Sequence, residues 1–112
     1  MPQEDYSAEQ AMRYMQDTLY VTGGKWKLLI LTAIHAGSKR FKEIQGSVPG
    51  ITAKVLSKEL KDLELNKLIT RTVYDTTPVT IEYEGTEYCQ SLNTMINEMI
   101  KWGAMHRKQI RD

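Results

Sequence analysis

Cysteine occurs once in 112 residues, at Cys89, which excludes an internal disulfide framework and any cysteine-rich zinc site. No apolar run approaches the roughly 20 residues that span a bilayer. The opening Met1-Pro-Gln-Glu-Asp5 is acidic and has neither the basic nor the apolar region of a signal peptide. Repeats, low-complexity stretches and long linkers are missing as well. A cytoplasmic protein with no membrane partner is the expectation. No catalytic set assembles either. His35 ends an apolar segment and His106 lies near the C-terminus, neither with a carboxylate or thiol at useful spacing. Gly23-Gly24-Lys25 lacks the upstream glycine and the Ser or Thr of a phosphate loop. The sequence therefore predicts no enzyme, no metal site and no cofactor.

Net charge is equally thin, at +1, but the average hides an asymmetry. Residues 1–22 set Arg13 against four acidic residues, a local −3. Residues 23–80 hold ten basic residues against five acidic, a local +5, and 81–112 four against five, −1. Positive charge is thus concentrated in the middle of the chain, the footprint of a local polyanion-binding face rather than of a globally basic protein.

What is present is hydrophobic periodicity sized for one domain, residues 1–112. Ser7-Ala-Glu-Gln10 fits a capping box, and Ala8, Met12, Met15 and Leu19 follow at helical spacing, giving a first helix over about 8–20 stopped by Gly23-Gly24. Lys25 to Ala36 is a largely buried second helix ending near Gly37. Ser38-Lys39-Arg40 allows only a very short strand, and Phe41 to about Gln45 a short third helix. After the turn Gly46-Ser-Val-Pro-Gly50, Thr52 caps a fourth helix with apolar positions Leu56, Leu60 and Leu63, ended by a left-handed Asn66. Period two then takes over in Ile69–Tyr74 and Val79–Tyr83, around Asp75-Thr-Thr-Pro78, which is a hairpin. A long last helix from about Thr86 carries a stripe of Leu92, Met95, Ile96, Met99, Trp102 and Met105. The predicted fold is mainly α with a small β-hairpin wing: a winged helix-turn-helix module over about 23–84, with additional dimerisation helices over about 8–20 and 86–110.

The fourth helix is the candidate recognition helix. Lys54, Ser57, Lys58 and Lys61 share the face opposite the leucines, and Thr52, Ala53 and Lys54 stand at its N-terminal end, nearest base edges in a major groove. A lysine-rich solvated face is the bland alternative, which the setting between a Gly/Pro turn and a hairpin disfavours. If Lys58 contacts phosphate, Lys58→Ala is expected to weaken binding to every sequence and to flatten its salt dependence by about 1. Lys39 and Arg40 precede the third helix, where phosphate contact is expected, and Thr76 and Thr77 sit at a wing tip with Arg71 near its base. Met12, Met15 and Leu19 are expected to join Leu92, Met95, Ile96, Met99 and Trp102 in a homodimer interface, whose methionines suit an adaptable pocket for a small-molecule effector of unknown identity. Cys89, near the start of the last helix, is either ordinary packing or a thiol activated by the helix N-terminus. The rival function is a winged-helix interaction module that turns the same basic face to an acidic protein partner.

Five ordered blocks resemble the HxlR family of bacterial winged-helix regulators, from about Met12 to Trp102-Gly103. They are Gly23-Gly-Lys-Trp-Lys-Leu-Leu-Ile-Leu31, Lys39-Arg-Phe-Lys-Glu-Ile44, Pro49 to Glu64, Leu68-Ile-Thr-Arg-Thr-Val-Tyr74 and Ile81-Glu-Tyr83. The resemblance implies homodimers built from the terminal helices that bind double-stranded DNA at inverted repeats near promoters and regulate transcription. Some members sense oxidants through a cysteine preceding the first block; here that region reads Met12-Arg-Tyr-Met15. Thr80 stands where a basic wing residue is frequent, and Cys89 where a glycine commonly sits.

Overall fold

A computed structural model describes residues 5–111. Along them run α1 (Ala8–Thr22), α2 (Lys27–His35), α3 (Phe41–Ser47), α4 (Ala53–Leu65), β1 (Ile69–Tyr74), β2 (Thr80–Gly85) and α5 (Asn93–Arg111), with a 3-10 turn over Tyr88–Leu92 before α5. The strands form an antiparallel hairpin with Val73 opposite Ile81 and Arg71 opposite Tyr83. The architecture is the expected one, mainly helical with a two-stranded wing.

Local chemistry explains where the helices begin and end. Ser7 and Gln10 close the capping box of α1 reciprocally, each backbone N–H donating to the other's side chain at 2.9 and 3.1 Å. At its other end, a Cβ on Gly23 would collide with the Leu19 carbonyl oxygen, so only glycine lets the chain turn there. Helix α2 ends in a paired motif: Gly37, at φ +118, donates to Ile34 O, and Ser38 donates to Ala33 O, both at 3.0 Å. Helix α4 ends in the same way, with Lys67 donating to Glu64 O and Leu68 to Leu63 O at 3.0 Å. Here the sequence misplaces the left-handed residue. Asn66 has φ −85, and Lys67 takes φ 63. Asn66 instead uses its side-chain amide to cap Asp62 O at 2.9 Å, which holds it inside the last turn.

The core lies where α2, α3, α4 and the base of the hairpin meet. Ile30, Ile44, Val48, Leu56, Leu60, Leu63, Leu68 and Ile69 are almost wholly buried there. Truncating any of the three leucines of α4 to alanine costs about 2–5 kcal/mol, so one face of this helix is fixed inward. By contrast Thr22 is the one buried residue of α1, and Ile96 the one buried residue of α5.

Two further expectations are corrected. Residues 38–40 form no strand; the contact reduces to one hydrogen bond, from Tyr83 N–H to Lys39 O at 2.8 Å. The last helix does not start near Thr86. The Thr86 hydroxyl accepts from Cys89 N–H at 3.0 Å and donates to Lys67 O at 2.6 Å. That anchors a tight turn to the end of α4, and regular α geometry resumes only at Asn93.

Candidate nucleic-acid interface

With Leu56, Leu60 and Leu63 turned inward, α4 exposes Thr52, Ala53, Lys54, Ser57, Lys58 and Lys61. The Thr52 hydroxyl accepts from Val55 N–H at 3.2 Å, capping the helix and satisfying one of the free amides of its first turn. Lys54 and Lys61, two turns apart, lie on this same exposed face. On the wing side, Ser57 and Lys61 of α4 border a polar recess of about 390 Å³ shared with Arg71 and Tyr83 of the hairpin, Phe41 at the start of α3, and Glu64. The fold thereby brings the helix face and the base of the wing into one basic, solvent-open surface, suited to a polyanion.

The flanking candidates are more occupied. The backbone N–H groups of Lys39 and Arg40 donate to Glu43 Oε1 at 3.0 and 3.1 Å, capping α3 and holding the Glu43 carboxyl below its ordinary range. The Lys39 ammonium lies 3.6 Å from Glu84 Oε1, both side chains being half exposed. At the wing tip the Thr76 hydroxyl donates to Pro78 O at 2.7 Å and lies 3.0 Å from Thr80 Oγ1, so it is spent on its own turn; Thr77 is exposed.

Sequence reasoning missed the charges beneath α4. Lys58 is exposed but not isolated: its ammonium is 3.3 Å from Asp62 Oδ2 and 3.6 Å from Glu59 Oε1. Glu59 in turn accepts from Lys27 of α2 at 2.9 Å, and Asp62 Oδ2 is 3.5 Å from the same ammonium. The hydrogen bond to Asp62 raises the Lys58 pKa, and that bond, with the nearby Lys27, lowers the Asp62 carboxyl. A signal for this existed. Glu59 shares the inward spacing of Leu56, Leu60 and Leu63, and a charge at a core position demands a partner.

Of the expected interface residues, Met12, Met15, Leu19, Met99 and Trp102 are exposed and Met95 is half-buried. Leu92, partly buried, packs on the subunit's own core, and Ile96 belongs to it. Tyr20, Leu29, Ile100, Met105 and Ile110 are further exposed apolar side chains on α1, α2 and α5. The Trp102 and His106 rings stack at 4.9 Å. Cys89 is buried, and burial pushes its thiol pKa up; it sits in the 3-10 turn, not at the start of α5, so no helix N-terminus activates it. Among the described residues no cluster of His, Cys, Asp or Glu is placed to hold a metal, and no helix is long and apolar enough to cross a membrane.

Known proteins share this arrangement. The HTH-type transcriptional regulator YtcD of Bacillus subtilis is 40% identical over 86% of this chain and 76% of its own length. The crystal structure of ytcD superimposes with a TM-score of 0.79 at 40% identity, covering 84% of this chain and 96% of that one. The redox regulator HypR in its reduced form gives a TM-score of 0.81 at 34% identity, covering 88% and 97%. The HxlR-like helix-turn-helix family matches residues 21–111, from the end of α1 through the wing to the end of α5. The chain is a transcriptional regulator of the helix-turn-helix type and belongs to the HxlR-like family.

Proposed function

We propose that the chain is a non-catalytic regulator that binds double-stranded DNA sequence-specifically, as a homodimer on inverted repeats. Residues 1–112 act as one unit, in which about 23–84 contact DNA and α1 and α5 pair the subunits. The observation that carries this reading is the presentation of α4. Its leucines are locked in the core, while Thr52, Ala53, Lys54, Ser57 and Lys61 face solvent beside Arg71 of the wing. Such a helix fits a major groove with its N-terminal half toward base edges, and two of them related by a dyad meet half-sites about 34–36 Å apart or more. Lys39 and Arg40, at the start of α3, and Thr77, at the wing tip, serve as phosphate contacts on either side.

The pairing part of the proposal draws on the exposed apolar side chains of α1 and α5. Methionines among them keep room for a small-molecule effector, whose identity the chain does not specify.

Capture and sequencing of genomic fragments bound by the protein, followed by anisotropy titrations of the recovered duplex, tests the whole reading. The expected result is an inverted repeat bound with strong salt dependence, and a changed sequence preference on substituting Thr52 or Lys54. A protein that ignores every duplex at low ionic strength overturns it, and capture of an acidic protein instead transfers the same face to the rival reading.

A further inference from the structure

We infer that Asp62 and Glu59 hold Lys58 out of the DNA contact set, so that α4 offers a duplex one neutralising charge fewer than its lysines suggest. The inference rests on the DNA-binding reading proposed above and assigns Asp62 a role in setting affinity for all sequences alike.

The geometry separates this pair from an ordinary surface ion pair. An isolated exposed lysine and aspartate one turn apart hold each other weakly, and a DNA phosphate would displace the carboxylate. Here the carboxylates are themselves held. Lys27 stands at the first turn of α2 with its side chain 13% exposed and clamps Glu59, 11% exposed, at 2.9 Å. The same ammonium reaches Asp62 Oδ2 at 3.5 Å, the oxygen that Lys58 meets at 3.3 Å. Two ammoniums and two carboxylates thus form a neutral cluster anchored across two helices. Lys58 is bound by the carboxylates that Lys27 anchors, whereas Lys54 and Lys61 have no such partners among the described ion pairs. A phosphate approaching Lys58 meets fixed negative charge beside it.

Asp62→Asn removes the carboxylate nearest Lys58, leaving only the longer 3.6 Å approach to Glu59, and keeps the buried Lys27–Glu59 pair that joins α2 to α4. The experiment measures duplex affinity of the full chain from about 50 to 200 mM salt for wild type, Asp62→Asn, Lys58→Met and the double variant, with melting curves confirming that each is folded. Lys58→Met is expected to leave the wild-type salt slope within about 0.3, whereas Asp62→Asn steepens it by about 0.9, a change of about 3.5-fold in relative affinity over that range. In the Lys58→Met background Asp62→Asn is expected to add no slope.

Two results overturn the inference alone. One is a wild-type slope that Lys58→Met flattens by about 0.9, which makes Lys58 a native phosphate contact. The other is an Asp62→Asn effect of equal size in both backgrounds, which makes bare carboxylate repulsion the cause. Wild-type protein with no salt-dependent duplex binding overturns the parent reading together with it.

Discussion

Glu43 is a single exposed side chain whose protonation is written into the fold. The backbone amides of Lys39 and Arg40 donate to its carboxylate, so its folded pKa lies below the ordinary 4.5. A group depressed in this way contributes stability that is complete above the unfolded value and is lost as pH falls through the folded one. Glu43→Gln keeps an acceptor oxygen but cannot titrate. Melting temperatures measured against pH are expected to show wild type ahead at neutral pH, with the lead shrinking as pH falls below the ordinary carboxylate value of 4.5. A lead that stays constant as the solution is acidified contradicts the assignment. This capping carboxylate was not legible in advance, because Arg40 is an unusual residue at a helix start and draws attention to its own charge. The end of α4 misled for a related reason. Asparagine is the commoner non-glycine residue in left-handed geometry, yet here its amide finds Asp62 O within the helix, and the next residue, Lys67, makes the turn.

At the level of the element, α4 depends on α2 through one ionic joint. Lys27 and Glu59 are both largely buried, so losing one leaves the other charged in a poorly solvated place. Glu59→Met is expected to cost on the order of 3 kcal/mol, and Lys27→Met together with Glu59→Met to recover to within about 1 kcal/mol of wild type. Denaturant titrations of the three variants and wild type close the cycle; costs that simply add would mean that the two residues do not act as a pair. The helix itself, its cap at Thr52 and its outward lysines were legible, because leucines at helical spacing declare which side goes in. Which lysine is already engaged was missed although Asp62 stands one turn from Lys58; what no local pattern encodes is the anchor of those carboxylates, Lys27, which meets Glu59 across 32 residues of sequence. The hairpin was legible from its period-two pattern. The 3-10 break before α5 was not, because Thr86 reaches across to Lys67 through a contact that no local pattern encodes.

The whole subunit is larger and looser in outline than its length requires. A compact chain of 112 residues has a radius of gyration near ~13 Å, and this one has 16.4 Å, with extents of 53 × 37 × 22 Å. Its accessible surface is 8808 Å², against about 6,300 Å² for a folded monomer of this size. The excess of roughly 2,500 Å² matches what each partner of a large permanent dimer covers. On the proposed pairing, a double variant with Met15→Asp and Trp102→Asp places unpaired charge in an apolar interface, and dimer affinity is expected to fall by at least about 100-fold. Sedimentation over a concentration series checks this; wild type that sediments as a single subunit at every concentration, indistinguishable from the variant, refutes the pairing.

Helix α1 follows from the same shortage of internal contacts. Fifteen residues with one buried among them are near the length at which a helix alone is marginal in water. On the proposed pairing, forming this helix and finding a twin become a single event. Promoter occupancy then climbs with the square of copy number while the protein is scarce, so a cell that halves its stock loses three-quarters of the bound sites. The regulator's threshold would thus be set by synthesis and degradation as much as by any signal.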